Sequence, residues 1–501
     1  MDELRASSFG GETPIPLSNA TLLDLPAEIA RPHYDRRSLT AGIAHIGLGN
    51  FHRAHQAWYS HRLMQEGKAL DWAIVGAGVR ESDRLQRRRL ASQDWLSTLI
   101  ELDPAGKSAE VIGSMIGFVP VETGNQMLVQ QMAESAIRIV SLTVTEGGYF
   151  KDPATGDFDA KHPDIQHDVG NPDHPRTAFG AIVAALSRRR ASGMPGFTCL
   201  SCDNLRGNGQ ALRATVVSLA EMIDPALASW IDAECGFPNS MVDCIVPATS
   251  TSELDLVQAF GIVDAAPVTH EPFRQWVLED DFRAGRPPWE DVGATFTRQV
   301  HDYEEMKIRI LNGGHQVIAT AADLLGVRTI SQAMEHTLLR ALLRKVALEE
   351  IVPNIAPTAD MTRRSYLELV EERFSNPEIA DTARRVAFDG SSRHPAFVLP
   401  SIQDCLNSGT QMVGLALISA LWSRYCEGVR EDGSLIEPND PDWSLLQSKA
   451  RMARVEPAAW LGMKRVYGDL GKHASFATTF AHWRSLISNQ GVKRTLRAYL
   501  S

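Results

Sequence analysis

Short apolar segments recur through the first half of the chain, alternate with segments of helical period, and then stop. "AGIAHIGLG" (41–49), "WAIVGAGV" (72–79), "IRIVSLTVTEGG" (137–148), "GFTCLSCDN" (196–204) and "SMVDCIVPATS" (240–250) read as strands. "AHQAWYSHRLMQEG" (54–67) and "TAFGAIVAALSRRRASG" (177–193) read as helices among them. Strands separated by helices predict a parallel, doubly wound sheet. Beyond the Pro- and Gly-containing stretch "DFRAGRPPWEDVG" (281–293), strand signals nearly vanish. "ISQAMEHTLLRALLRKVALEEIV" (330–352), "MVGLALISALWSRYCEGV" (412–429) and "WSLLQSKARMARV" (443–455) have helical periodicity.

The first strand is followed by "GLGNFHRAH", which opens a helix. Gly47 and Gly49 match the first two glycines of a G-x-G-x-x-G turn, one for the tight turn and one for close approach to a pyrophosphate. His52 stands at the third position, so the fingerprint is incomplete. Phe51 and Arg53 lie in the same loop and count with the cofactor residues; Arg53 offers a cation for phosphate, or is an ordinary surface arginine. The ribose-binding acid belongs at the end of the second strand, where Asp83 is the first candidate and Glu81 the second. An acid there favours NAD, although Arg80 and Arg84 flank it and an arginine can accept the 2′-phosphate of NADP. The expected organisation is a Rossmann-type dinucleotide-binding α/β domain over 1–296 and a mostly α-helical substrate domain over 297–501.

A chain of 501 residues, 44% hydrophobic and 22% charged, can build two buried cores and is not a disordered one. Its net charge of -11, with no long basic run, gives no electrostatic support for a nucleic-acid partner. The opening "MDELRASSFGGETPIPLSNA" has no apolar core of a signal peptide, and no apolar run approaches the roughly 18 residues of a membrane span. Six cysteines do not make a disulfide scaffold. Cys199 and Cys202 form a C-x-x-C without a second pair, which reads as core packing rather than half a metal site. A cytoplasmic protein is expected.

"YEEMKIRILNGGHQVIA" (303–319) puts a lysine, an asparagine and a histidine into an oily segment. At about 100° per residue, with Lys307 at zero, His315 falls near ~80° and Asn312 near ~140°. Leu311, Ile318 and Ile308 share that arc, whereas Glu305, Arg309 and Gln316 fall near ~160–200° and read as a solvated edge. Burial lowers a lysine pKa and turns an ammonium into a general base. The plain alternative is that Lys307 snorkels, His315 is a satisfied core histidine and Asn312 caps a turn before Gly313-Gly314. The segment opens the helical domain, and clefts at domain junctions favour ligands.

Ligands of doubly wound sheets bind beyond the carboxyl ends of the strands. Glu146, in "TEGGY", Asp203 and Asn204 after "FTCLSC", and Asp243 in "SMVDCIVP" lie at such ends. Each also suits a turn or N-cap, Asp203 most of all. Asn204 can hydrogen-bond a substrate hydroxyl or a developing alkoxide.

The segments "GIAHIGLGNFHRAHQAWY", "VTEGGY", "SCDNLRGNG", "FPNSMVD", "WVLEDDF", "YEEMKIRILNGGH" and "FDGSSR" resemble the polyol-specific long-chain dehydrogenase family, over about residues 40 to 395. The resemblance implies nicotinamide-dependent oxidation of a secondary alcohol on a polyol, without metal. It implies Lys307 as general base, Asn312, His315 and Asn204 as groups that hold and polarise the reacting oxygen, and Glu304 and Glu146 as a proton route. Asp243, Arg385 and Arg393 match positions near the substrate, and Asp83 matches the acid associated with NAD. Two departures stand out: Ser82 where a second acid can occur, and Arg393 where a lysine can occur. The second leaves room for an anionic sugar acid.

D-mannitol/D-fructose is the first expected substrate pair; D-arabinitol, D-sorbitol and D-mannonate/D-fructuronate are alternatives, and a monomer is expected. "YEEMK" also matches the Y-x-x-x-K of short-chain dehydrogenases, but there the motif lies inside the nucleotide domain. A zinc alcohol dehydrogenase lacks suitably clustered ligands here. A non-catalytic nucleotide sensor is opposed by the intact Lys-Asn-His set.

Overall fold

The computed structural model describes residues 13–151 and 157–501. The chain divides into two compact units, with the division between His301 and Asp302.

The first unit is built on a five-stranded, all-parallel sheet. Its strands are β1 (Ala41–Ile46), β2 (Ala73–Ala77), β3 (Met115–Phe118), β4 (Ile139–Leu142) and β5 (Thr198–Ser201). They lie side by side in the order β3-β2-β1-β4-β5. The order reverses at β1, the switch point at which doubly wound sheets bind their ligands. Both faces are covered, so the strands read as continuous apolar runs. Ile43 and Leu200 point to one core, with Leu63, Phe118 and Trp276. Ala44, Ile46 and Cys199 point to the other, with Ile182, Leu186 and Leu219. Each fully buried Ile or Leu in these layers contributes about 1.5–3 kcal/mol of transfer free energy. Helices α2 (Gln56–Gln65) and α4 (Ala178–Ala191) fall where the sequence places helical period, and α1 (Asn50–Ala54) opens from the glycine loop as expected; α3 (Asp83–Ala91) is not among the predicted helices.

The segment 240–250 does not extend this sheet. Only Ser240–Asp243 is a strand, and it pairs antiparallel with Gln275–Leu278 in a separate three-stranded sheet. Periodicity detects the extended backbone but not its partner, and the strand ends at Asp243, before Pro247. A hairpin-like pair, Ser97–Glu101 with Ser108–Ile112, joins Val268–His270 in another small sheet.

Among the described residues of the second unit, every named element is helical. One apolar core runs through it, including Ile310, Val317, Leu343, Phe374, Leu421, Trp460 and Phe476. The run expected over 330–352 is broken. Ile330–Glu335 starts on a capping box from Thr329 and Gln332, and His336 leaves the helical region at ψ 110. Thr337–Val346 then winds into a π turn at Ala347–Ile351. No helix among the described residues is long and apolar enough to cross a membrane.

Candidate active site

The glycine loop follows β1 directly. Gly47 has φ +93, in the left-handed region that glycine enters without cost. A Cβ there would also strike the backbone oxygen of Thr143, so conformation and contact both demand glycine. Gly49 is different. Its φ of -97 suits any residue, and a Cβ there would meet nothing nearer than the Gly47 carbonyl at 3.9 Å. The protein has no internal need for glycine at 49, and the open space in front of it fits the close approach of a dinucleotide's pyrophosphate.

Beneath this loop lies a buried polar chain that the sequence reading missed. The Thr143 hydroxyl donates to the Gly47 carbonyl at 2.6 Å and lies 3.0 Å from His45 Nε2. His45 Nδ1 is 2.8 Å from Ser141 Oγ. His52, at the third fingerprint position, is buried and stacked on His45, with ring centroids 3.4 Å apart. Phe51 is half-buried and stacks on His55 at 4.9 Å.

Arg53 does not offer its charge to solvent. It is 1% exposed; its guanidinium donates to the Gly49 carbonyl at 3.3 Å, to Asn50 Oδ1 at 2.7 Å and to the Ala266 carbonyl. Burial pushes it down to about 10. The phosphate-facing cation expected at this position is therefore turned inward, where it braces the loop from behind.

Asp83 opens α3 and folds back over the end of β2. Its Oδ2 accepts the Arg80 backbone N–H at 2.9 Å, and it packs against Gly78, where any side chain would collide with the carboxylate. Arg84 turns away, donating to the Val121 carbonyl at 3.1 Å and to Glu81 at 3.1 Å.

Of the polar groups expected at strand ends, Asp203 has a turn role: it is buried and accepts Thr145 N–H at 2.8 Å, Val144 N–H at 3.2 Å and the Tyr149 hydroxyl at 2.8 Å. Asn204, the next residue, is exposed beyond the end of β5. Asp243 is buried and lies opposite Gln275 in the separate antiparallel sheet, not at an end of the parallel one. Glu146 starts a 3-10 turn, and its side chain lies outside the described residues.

In the second unit, helix α5 (Val300–Met306) carries the buried Glu304 and runs into a π turn over Lys307–Asn312. The Gly313 N–H reaches back five residues to the Ile308 carbonyl. An ordinary α count separates Asn312 from Lys307 by about 140°, but i→i+5 bonding brings residues five apart toward one face. Helix α6 (Gly313–Leu324) continues without a break, at φ -61 for Gly313, so Asn312 caps nothing. Lys307 is 7% exposed. The side-chain oxygen of Asn312 is buried without a hydrogen-bond partner in the chain, an arrangement that costs free energy unless a ligand or water supplies one. Of the expected solvated edge only Glu305 stays partly exposed: Arg309 is buried and paired with Asp404 at 2.9 Å, and Gln316 is buried.

The His315 ring lies face to face on Phe374, with centroids 3.9 Å apart and planes 14° from parallel. Desolvation pushes His315 down to about 4; Asp381 pulls it up, and Arg385, Arg373 and Arg393 push it down. The imidazole is thus neutral near pH 7. Helices α7 (Arg363–Phe374), α8 (Ala383–Val386) and α9 (Gly390–Phe397) supply Arg373, Phe374, Arg385 and Arg393, and Asp381 lies just before α8. The Val386 carbonyl ties them together, accepting from Gln316 Nε2 at 3.1 Å and from Arg393 Nη1 at 2.8 Å. Arg385 forms a bidentate pair with Asp381, at 2.6 and 2.5 Å. Sequence reasoning passed over Asp381 and Phe374, although Asp381 and Arg385 stand at a readable i,i+4 spacing.

The helical unit therefore brings Lys307, Asn312, His315, Arg385 and Arg393 onto neighbouring turns, and the first unit gathers Gly47, Gly49 and Asp83 at the ends of β1 and β2. All six cysteines are buried and none forms a disulfide; Cys199 and Cys202 pack in the cores on either side of the sheet. Among the described residues, no three His, Cys, Asp or Glu side chains are grouped to hold a metal ion.

Comparison with known proteins agrees with this division. Residues 41–291 match the family model described as the mannitol dehydrogenase Rossmann domain, and residues 299–486 match the mannitol dehydrogenase C-terminal domain. The mannitol 2-dehydrogenase of Cereibacter sphaeroides is 54% identical over 473 residues, 94% of this chain and 99% of that protein. The mannitol 2-dehydrogenase of Pyricularia oryzae is 38% identical over 97% of this chain and 99% of its own. The structure of Pseudomonas fluorescens mannitol 2-dehydrogenase, a ternary complex with NAD and D-mannitol, matches with a TM-score of 0.88 at 41% identity, covering 97% of this chain and 99% of that one. A D-sorbitol dehydrogenase in substrate-free form matches with a TM-score of 0.87 at 33% identity, over 96% of this chain and 100% of its own. By sequence over nearly its full length, and by fold in both units, the chain belongs to the mannitol dehydrogenase family.

Proposed function

We propose that the chain is an NAD-dependent polyol dehydrogenase that interconverts D-mannitol and D-fructose with Lys307 as general base. One observation carries the reading: a π turn sets a buried lysine and an asparagine with a partnerless buried amide oxygen five residues apart, one turn before a neutral histidine. The near-full-length likeness to mannitol 2-dehydrogenases, one of them solved with NAD and D-mannitol, supports it.

In oxidation the Lys307 amine takes the proton of the substrate's secondary hydroxyl. NAD⁺, when bound, supplies the hydride acceptor. Asn312, His315 and Asn204 steady the oxygen as it gains negative charge; an amide offers both donor and acceptor, so it serves the hydroxyl and the alkoxide alike. A neutral His315 donates one N–H and adds no charge that would hold the alkoxide as a trapped ion pair. Glu304, three residues before Lys307, and Glu146 pass the proton onward. In reduction the lysine ammonium returns it to the carbonyl oxygen.

The open face of Gly49 and the left-handed Gly47 suit the pyrophosphate, with Phe51 and Arg53 shaping the loop from its own side. Asp83 suits the ribose hydroxyls. Asp243, Arg385 and Arg393 bear on the remaining hydroxyls of the polyol. On the same reading the nucleotide domain occupies about 1–296, and the enzyme works as a monomer in the cytoplasm. Six buried cysteines outside any disulfide fit a reducing compartment. The test is NADH absorbance on mixing the protein with NAD⁺ and D-mannitol, D-sorbitol, D-arabinitol or D-mannonate. D-mannitol should give the highest kcat/KM; no turnover of any polyol would overturn the proposal.

A further inference from the structure

Arg385 is an exposed cation held by a buried anion. Its side chain is 65% exposed, that of Asp381 7%. Arg385 Nε meets Asp381 Oδ1 at 2.6 Å and Nη2 meets Oδ2 at 2.5 Å, the fork geometry that fixes direction as well as charge. Asp381 is itself fixed by its backbone: its N–H donates to the Ile379 carbonyl at 2.8 Å and its carbonyl accepts from Ile330 N–H at 2.9 Å. The Thr382 hydroxyl, capping α8, accepts the Arg385 backbone N–H at 3.1 Å. Arg385 thus has little freedom to leave its partner. The pair stands beside His315. Gln316, the residue after His315, and Arg393 both donate to the Val386 carbonyl, one residue beyond Arg385. The charged groups that act most on His315 include the Asp381 carboxylate and the guanidinium groups of Arg385, Arg373 and Arg393.

We infer that Asp381 is a specificity-determining residue: it aims the Arg385 fork and cancels its charge, so that the surroundings of His315 accept an uncharged polyol in preference to a sugar acid. This rests on the reading above, in which His315 holds the substrate oxygen. With its carboxylate partner, Arg385 offers the N–H groups left over from the ion pair as hydrogen-bond donors to hydroxyls. Without that partner, it is a ready counter-ion for a substrate carboxylate. Asp381 touches neither reacting atoms nor cofactor in this scheme; it acts through Arg385 and is a positioning residue.

The test compares wild type, Asp381→Asn and Arg385→Gln. Three quantities are measured for each: KM and kcat for D-mannitol, Ki for D-mannonate as competitor of D-mannitol, and the melting temperature with NADH binding. In Asp381→Asn the ratio of mannitol KM to mannonate Ki should rise at least about tenfold, by an effect that shrinks in high salt. Arg385→Gln leaves the carboxylate without its cation and should move the ratio the opposite way. Asp381→Glu should restore part of the wild-type ratio. If Asp381→Asn does not fold, Arg385→Gln alone carries the test through the sign of its shift. A ratio within about twofold of wild type in every folded variant, with only melting temperature lowered, overturns the inference and leaves the pair a structural clasp. A wild type that turns over no polyol overturns the underlying reading instead.

Discussion

His315 and Phe374 lie ring on ring, 3.9 Å between centroids, and Phe374 comes from a different helix. The stack fixes the plane of an imidazole that would otherwise turn about its side-chain bonds. Gly314 packs beside it: a Cβ there would crowd Leu343 at 3.2 Å and make ordinary contact with Phe374 at 3.7 Å. Phe374→Leu keeps the site apolar and gives up the flat face. We expect kcat for polyol oxidation to fall by about tenfold through loss of orientation, with NADH affinity unchanged. Steady-state kinetics with NADH titration check this. A kcat within twofold of wild type would show that the ring is held by something else.

Much of this was legible in the sequence. Four of the five parallel strands were found because burial on both faces makes them runs of apolar residues, as in "AGIAHI", whereas the short β3, Met115–Phe118, was not read as a strand; the glycine loop was legible because Gly47 cannot be replaced at φ +93. What failed depends on partners far along the chain. Nothing local tells Ser240–Asp243 to pair with Gln275–Leu278. Arg53 looked like a surface cation because the acceptor that draws it inward, the Ala266 carbonyl, lies over two hundred residues away. The angular reading of 303–319 assumed an α-helix throughout. The π turn changes the count past Lys307, and Arg309 and Gln316, placed on a solvated edge, are buried against partners far along the chain, Asp404 and the Val386 carbonyl.

Buried histidines set a second expectation, on stability. Burial pushes His45, His270 and His394 down to about 3, and His315 to about 4. An unfolded chain takes up these protons near pH 6.5, whereas the folded chain refuses them until far lower pH. Between those values the unfolded state binds more protons, so stability is complete above about pH 6.5 and falls as pH drops toward 4 and below. Each such histidine contributes up to about 1.4 kcal/mol per pH unit in that window. Urea midpoints at pH 7.5, 6 and 5 should fall in that order. In His394→Gln, where the ring's 2.8 Å contact with Ser419 Oγ is lost, overall stability should drop but the slope with pH should be shallower.

On the proposed reading, cofactor choice turns on Asp83. Its carboxylate sits against Gly78 at the end of β2, in the position from which it would repel a 2′-phosphate. NAD⁺ should be preferred over NADP⁺ by kcat/KM, and Asp83→Ala should narrow the gap by about ten- to a hundredfold, the scale of one hydrogen bond to a charged group. A wild type faster with NADP⁺ would reverse the assignment.

A lysine base asks for no Lewis acid. Activity should therefore survive exhaustive treatment with EDTA followed by dialysis. Activity lost to the chelator and restored by Zn²⁺ would place the chemistry on a metal and remove Lys307 from its role.

Lys307 makes the sharpest expectation. Its amine is buried in the π turn, five residues before Asn312. The ammonium form cannot accept a proton, so polyol oxidation should rise with pH through one ionisation. Ketose reduction, which needs the ammonium, should fall through the same one. Lys307→Ala should lose the general-base contribution, about 10²–10⁴-fold in kcat, and further rate from a misplaced hydroxyl. It should still bind NADH, because the glycine loop and Asp83 are untouched. A small primary amine added to the buffer should recover part of the rate by entering the space the side chain leaves. Lys307→Met separates charge from volume: it fills the same space without a base and should be as inactive as the alanine variant, but without rescue by amine. Turnover, NADH binding and thermal melting are to be read on the same samples. A folded, cofactor-binding Lys307→Ala that keeps more than about a tenth of wild-type kcat, well outside the general-base range, would mean that the lysine is buried for packing and that another group takes the proton.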